Sequence, residues 1–180
     1  MTIATRLMTE NDVDQVAAVH VKGWQEAYGN VVDADYLANL SVDERIKEWS
    51  KWVRDETVFH HVATDNGKVI GFLSVGPLRT PPPGMSPIRP LYATEIYAVY
   101  ILPDYYRQGI GKRLFVQAAE SIRAMKQKST CLWVMDKNER ANRFYKALGG
   151  ERCGKNFVEI GPSKIKDVCY GWRSIDSFEA

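Results

Sequence analysis

Long apolar runs are missing from this chain. Nowhere do about 18 apolar residues follow one another, so no helical membrane span is expected. The opening residues, Met1-Thr2-Ile3-Ala4-Thr5-Arg6, lack the apolar stretch of a secretory signal, and a cytoplasmic location is expected. Cysteine is scarce and odd in number. Cys131, Cys153 and Cys169 have no metal-ligand spacing, and Cys131 and Cys169 lie in apolar, strand-like runs. They read as reduced core thiols rather than a disulfide framework. An excess of one charge is missing too: 24 basic residues stand against 22 acidic ones. A net charge of +2, with no lysine-rich stripe and no ribonucleoprotein motif, gives no reason to expect a nucleic-acid partner. His60 and His61 are adjacent in a strand-like segment and point to opposite faces, so they make no simple two-histidine site, and no metal is expected. There is no internal repeat and no low-complexity tail, so residues 1–180 read as a single domain large enough for a sizeable core.

What is present is a regular alternation of periodic segments. Ile3 to Leu7 reads as a short strand. Thr9-Glu10-Asn11-Asp12 has the form of a capping box with Asp in place of Glu, and a helix with apolar spacing follows to about Tyr28. A second capping box, Ser41-Val42-Asp43-Glu44, opens a helix whose inner face is Ile46, Trp49 and Val53. Val58 to Thr64 and Val69 to Val75 form a hairpin about Asp65-Asn66-Gly67-Lys68. Pro77 to Pro90 holds six prolines and one glycine, which forbids a regular element and predicts an extended surface loop. Then come a strand over Tyr92–Leu102, a helix with inner face Leu114, Phe115, Ala118, Ala119, Ile122 and Met125, and a strand over Thr130–Met135. A helix over Asn138–Leu148 stops at Gly149-Gly150, and the last strands are Cys153–Val158 and Val168–Trp172. The order is β-α-α-β-β-β-α-β-α-β-β, a mixed α/β domain with antiparallel hairpins first and a strand-helix-strand crossover in the middle.

The segment from Pro103 to Leu114 carries the most information. An apolar strand ends at Leu102, a turn with Gly109 and Gly111 follows, and an amphipathic helix begins. Glycines permit a tight turn and close approach of a ligand, and the helix start aims free N–H groups and a positive dipole end into that turn. A pyrophosphate suits such a place. It is not held by a Walker loop, because Gly111-Lys112 is followed by Arg113 and Tyr106 stands where the first glycine belongs. A dinucleotide fingerprint is also excluded, since Leu114 occupies the third glycine position.

Further along stand Asn138, Ala141 and Tyr145, spaced as Asn-x-x-Ala-x-x-x-Tyr. With that helix in second place after the glycine turn, the chain resembles the GNAT family of N-acetyltransferases, whose pyrophosphate loop reads Gln/Arg-x-x-Gly-x-Gly/Ala. Gly109 and Gly111 match, whereas Tyr106 occupies the Gln/Arg position. The resemblance extends over roughly residues 3 to 173. It implies the acyl-CoA N-acyltransferase fold: a mixed, mostly antiparallel central sheet flanked by helices. The strand ending near Leu102 would splay from the strand beginning near Thr130, and the gap would receive the pantetheine arm of acetyl-CoA. It implies transfer of an acetyl group from acetyl-CoA to a primary amine of a small molecule or peptide. A CoA-binding sensor without catalysis is the alternative. Homodimers are common in the family and are the assembly the resemblance admits.

The resemblance also distributes roles. Backbone N–H groups of Val99, Tyr100 and Ile101 are candidates to hold the thioester carbonyl and pantetheine amides. The loop Arg107, Gln108, Gly109, Ile110, Gly111, Lys112 would take the pyrophosphate. Tyr145 would protonate the departing thiolate, position the thioester, or simply pack in the core beside Phe144. Asn138 either caps its helix or bonds a pantetheine amide. Glu95, within the apolar surround Leu91, Ile96, Val99 and Ile101, stands eleven residues before Tyr106, the offset at which some members of the family place a base. Desolvation would raise its pKa towards a useful range; the alternative is a structural glutamate paired with a surface cation. Trp24, Tyr28 and Tyr97 would wall the acceptor pocket, with Tyr97 expected on the face of Glu95 and Val99 by strand alternation. His20, on the inner face of the first helix, reads as a core residue.

Overall fold

The computed structural model describes residues 2–29, 31–83 and 91–179. Strands β1 (Ile3–Leu7), β2 (Phe59–Asp65), β3 (Lys68–Pro77), β4 (Thr94–Ile101), β5 (Thr130–Met135), β6 (Glu151–Ile160) and β7 (Ser163–Trp172) form one sheet in the order β1-β2-β3-β4-β5-β7-β6. Every neighbouring pair is antiparallel except β4 and β5, which run parallel. The parallel pair requires a crossover, and α4 (Ile110–Ala124) supplies it. Strand alternation sends Phe72 and Leu73 of β3 to opposite faces. Leu73, Val75, Ile96 and Leu132 pack on Leu114, Phe115, Ala118 and Ile122 of α4, together with Tyr145 from α5 (Glu139–Ala147). On the other face Val62, Val69 and Phe72 pack on Val13, Val16 and Ala17 of α1 (Val13–Tyr28) and on Trp49 of α3 (Val42–Trp52). This is the mixed, mostly antiparallel, helix-flanked sheet expected from the sequence. No described helix is long and apolar enough to cross a membrane.

Three departures from the sequence reading have local causes. A short helix, α2 (Ala34–Ala38), was not expected. It is too brief to show a period, and it is fixed by Asp33, whose carboxylate accepts from the Tyr36 N–H at 2.9 Å, and by burial of Leu37. The last hairpin is longer than expected, since β6 and β7 run on through polar residues to a turn at Gly161 (φ 54°). Strand β6 is largely exposed, so backbone pairing rather than apolar pattern defines it. In the proline-rich stretch, Pro77 still closes β3, Leu78–Pro83 leave the sheet, and residues 84–90 lie outside the described residues.

The junction of β1 with α1 rests on Asp12, which is buried. Its Oδ2 accepts from the Thr9 N–H at 2.8 Å and the Thr9 hydroxyl at 2.9 Å, which is the expected capping box, closed around a short 3-10 turn that leads into α1. Arg6 of β1 donates to both carboxylate oxygens at 2.7 Å. The Arg6 hydrogen bonds, aided by those from Thr9 and opposed by burial, hold the Asp12 carboxyl down at about 2. A depressed carboxylate stabilises the fold above its ordinary pKa and loses that contribution as pH falls through the folded value. The urea midpoint of Asp12→Asn should therefore sit below that of the wild type by a steady margin above about pH 5. The margin should shrink as pH falls below about 4 and through about 2, where Asp12 takes up its proton in the folded protein.

Candidate active site

Strands β4 and β5 are paired at three positions only: Thr94 with Thr130, Glu95 with Cys131, and Ile96 with Leu132. Beyond Ile96, β4 stays with β3 as far as Ile101, and β5 stays with β7 as far as Met135, so the two inner edges part. The cause lies in β4. Val75 pairs with Ile96 and Ser74 with Ala98, which leaves Tyr97 as an extra residue. Such a bulge bends its strand and adds twist, and it occurs where pairing with β5 ends. Leu102 N–H donates to the Ile70 carbonyl of β3 at 2.8 Å. The antiparallel alternation then turns the backbone of Tyr100 to β3 as well, and presents the N–H groups of Val99 and Ile101 to the gap. Of the three candidates, Tyr100 is turned away from the gap, and Val99 and Ile101 remain.

The gap is a cleft of about 510 Å³. At one end the chain enters α4 through two left-handed residues, Arg107 (φ 62°) and Gly109 (φ 76°). No described side chain caps α4, and Ile110, Gly111 and Lys112 of its first turn line the cleft together with the loop. Arg107 is not glycine, and its conformation costs about 1–2 kcal/mol, strain that the loop carries where it meets the start of α4. Gln108 turns away, donating to the Asp104 carbonyl at 3.0 Å. Gly111 has a second reason to lack a side chain: a Cβ there would lie 2.8 Å from the Phe144 ring of α5. Tyr106, the departure from the motif, lies under Arg140, whose guanidinium carbon is 3.9 Å from the ring centre and which donates to the Tyr106 hydroxyl at 2.9 Å.

Tyr145 is buried, and burial pushes its phenol well above the ordinary value, so the hydroxyl keeps its proton. It lines the cleft, and its hydroxyl makes no hydrogen bond among the described residues. Asn138 also lines the cleft, but its side-chain oxygen is engaged as a cap, accepting from the Ala141 N–H at 3.1 Å. Tyr28 lines the cleft, whereas Trp24 stands behind it, 4.8 Å between ring centres, and donates its indole N–H to His20 Nε2 at 3.1 Å. His20 is a core residue. Trp49 approaches its other ring nitrogen at 3.1 Å, and burial drives its pKa to about 3. A neutral imidazole can accept from only one of the two indoles. His60 and His61 do face opposite ways: His60 bonds Ser74 and the Trp52 carbonyl, and His61 bonds Ser121 of α4.

Glu95 is 5% exposed and does not line the cleft. Its Oε2 accepts from the N–H groups of Arg79 at 2.9 Å and Thr80 at 2.6 Å. It therefore ties the segment after β3 across the sheet, a partnership neither expected reading contained. Tyr97 lines the cleft, and its bulge breaks the alternation on which its placement rested. Tyr97 stays beside Glu95 and Arg79, while Val99 turns to the α4 core. Sequence reasoning also missed Asn142. Its amide donates to the carbonyls of Asn138 at 2.7 Å and Met135 at 3.1 Å, and its oxygen accepts from Tyr170 at 3.0 Å, locking α5 to the end of β5. A polar side chain on the buried face of a helix was the available signal.

The Acetyltransferase (GNAT) family model matches residues 24–149. A protein of Bacillus subtilis (strain 168), the Uncharacterized N-acetyltransferase YuaI, is 30% identical over 168 residues, 93% of this chain and 91% of that one. An N-acetyltransferase structure from Staphylococcus aureus superposes with a TM-score of 0.71 at 17% identity, covering 97% of this chain and 99% of that one. A Salmonella typhimurium structure, yncA, a putative acetyltransferase with its cofactor acetyl-CoA, gives 0.69 at 17% identity, covering 98% and 95%.

The Gly111–Phe144 contact has a direct consequence. Gly111→Ala should destabilise the protein by about 1–3 kcal/mol, the usual cost of overpacking. Adding Phe144→Leu should recover most of that loss, as read by urea denaturation. An additive double variant would mean that the contact does not limit this position.

Proposed function

The chain belongs to the acetyltransferase (GNAT) family, and on that premise we propose that it transfers an acetyl group from acetyl-CoA to a primary amine of a small molecule or peptide. The observation that carries the reading is the parted strand pair, which opens onto an uncapped helix start preceded by two left-handed residues. The residues fit the donor. Loop and helix N–H groups at 109–112, with Arg107 and Lys112 beside them, suit a pyrophosphate. The inward N–H groups of Val99 and Ile101 suit amides and a thioester carbonyl. Bound acetyl-CoA supplies an acetyl group activated as a thioester, and the chain's residues do the rest.

The acceptor nitrogen attacks the thioester carbon, the carbon–sulfur bond breaks, and the thiolate needs a proton. Val99 and Ile101 offer fixed donors where negative charge grows on the carbonyl oxygen. Tyr145 donates to the leaving sulfur. Burial keeps the Tyr145 phenol protonated and makes it a weaker acid, so it stabilises the leaving sulfur first by hydrogen bond, and a proton that it passes to the thiolate is returned to the phenolate through water. The amine proton leaves through water to Glu95, which stands behind Tyr97 and the Arg79–Thr80 segment. Glu95 also holds that segment in place, so it serves as a positioning residue as well. The free hydroxyl of Tyr145 on the cleft favours catalysis over a sensor role.

Three measurements test the reading. CoA should bind by calorimetry at least about tenfold more tightly than pantetheine, which lacks the pyrophosphate; equal affinities would reject the loop assignment. Thiol release from acetyl-CoA should depend on added amine, and Tyr145→Phe should lower kcat on the order of 10²-fold with acetyl-CoA affinity unchanged. A normal rate in that variant would reduce Tyr145 to packing. Glu95→Gln keeps an oxygen for the two amides but cannot take a proton. It should fold normally and lose rate most at low pH, where the amine is charged, whereas Glu95→Ala should also loosen the segment. Full turnover of Glu95→Gln between about pH 6 and 9 would leave Glu95 with positioning alone.

A further inference from the structure

The segment from Pro77 to Thr80 is pinned at four points, none of which uses the Arg79 side chain. Glu95 accepts from the N–H groups of Arg79 and Thr80. The Tyr97 hydroxyl donates to the Pro77 carbonyl, and the Trp133 indole donates to the Thr80 carbonyl at 2.9 Å. Tyr97 and Trp133 both line the cleft, so the segment straps its rim. The Arg79 guanidinium carbon lies 3.3 Å from the centre of the Tyr97 ring. At that distance the guanidinium must lie flat on the ring, because an edge-on approach would drive its nitrogens into the π face. Its face is thus occupied, while its N–H groups, which lie in the plane, make no hydrogen bond and no ion pair among the described residues. The carboxylates whose charge reaches this corner are Glu95 and Asp55, and neither forms an ion pair with Arg79. An arginine held flat, with its fork open, is the arrangement that receives a planar anion through two parallel hydrogen bonds.

We infer that Arg79 is the anion-binding residue of the acceptor subsite, and that the acceptor is an amine that also carries a carboxylate, as an amino acid does. This rests on the acetyl-transfer reading and narrows it to a substrate class. The placement suits that class. Arg79 is exposed and does not itself line the cleft, but it lies on the ring of Tyr97, which does, and Val99, whose N–H faces the gap, is two residues beyond Tyr97 along β4. An amino acid, with its amine and carboxylate on one carbon, is short enough to place its nitrogen in the cleft and its carboxylate at a rim residue beside Tyr97. Because the strap fixes the Arg79 backbone and the Tyr97 ring holds its guanidinium, little side-chain freedom is lost on binding. Lysine could supply the charge but not the flat, two-pronged donor set.

The test uses the standard L-amino acids, each paired with its α-carboxamide. Both sets are titrated into the CoA-saturated protein and assayed for acetylation. At least one acid should bind and react about tenfold or more better than its carboxamide, the range expected of a charged hydrogen bond. Arg79→Gln should abolish that preference by raising the KM of the acid, with acetyl-CoA affinity unchanged, and Arg79→Lys should restore part of it. Carboxamides that perform as well as acids would overturn the inference. So would a preference that survives Arg79→Gln, or a protein that binds CoA yet neither binds nor acetylates any amino acid. Failure of CoA itself to bind would reject the acetyl-transfer reading and this inference together, and the separate CoA titration identifies that case.

Discussion

Tyr97 has no backbone pairing partner on β3, and much of the site depends on that one surplus residue. The bulge turns β4 away from β5 after three paired positions. Both strands keep their outer neighbours, so the opening costs no hydrogen bonds on those sides, and the inner edges present unpaired backbone groups. In a closed sheet those groups would be consumed; here they are aimed into a cleft. The bulge also resets the side-chain alternation, leaving Tyr97 near Glu95 and Arg79 while Val99 joins the core under α4.

The cleft walls are tied to one another at several points. Asn142 fixes α5 to the end of β5, Phe144 packs against Gly111 where α4 begins, and the strap at 77–80 is tied by Glu95, Tyr97 and Trp133. Preorganised donors of this kind stabilise developing charge without rearranging. The polar groups in the interior are mostly committed to holding the scaffold: Asn138 caps, His20 meets two indoles, and Glu95 holds two amides. The Tyr145 hydroxyl on the cleft and the Arg79 guanidinium N–H groups beside Tyr97 make no hydrogen bond to a described residue.

Much of this was legible in the sequence because it follows from local rules. Apolar spacing located α1, α3 and α4, glycines marked the turn into α4, and the capping boxes at Thr9 and Ser41 marked helix starts. What escaped depends on pairing between distant segments. A bulge is defined by the strand opposite, so nothing local distinguished Tyr97 from its neighbours, and the expected face of Val99 was wrong for that reason. The exposed length of β6 and β7 has no apolar signature. The contact between Glu95 and the amides of residues 79–80 joins segments on either side of a proline-rich stretch that propensity could describe only as irregular. Gly111 shows the opposite case: the glycine was conspicuous, but its close neighbour in the structure is Phe144, as well as any ligand.

The central claim is that the bulge leaves alternate amides of β4 open for a ligand. Residue-resolved amide hydrogen exchange tests it most directly. Without ligand, Ala98 and Tyr100 should be protected by β3, while Val99 and Ile101 should exchange fast. Addition of CoA should slow Val99 and Ile101 and leave the other two little changed. Protection of all four amides without ligand, or no change at Val99 and Ile101 when CoA is bound, would contradict the account.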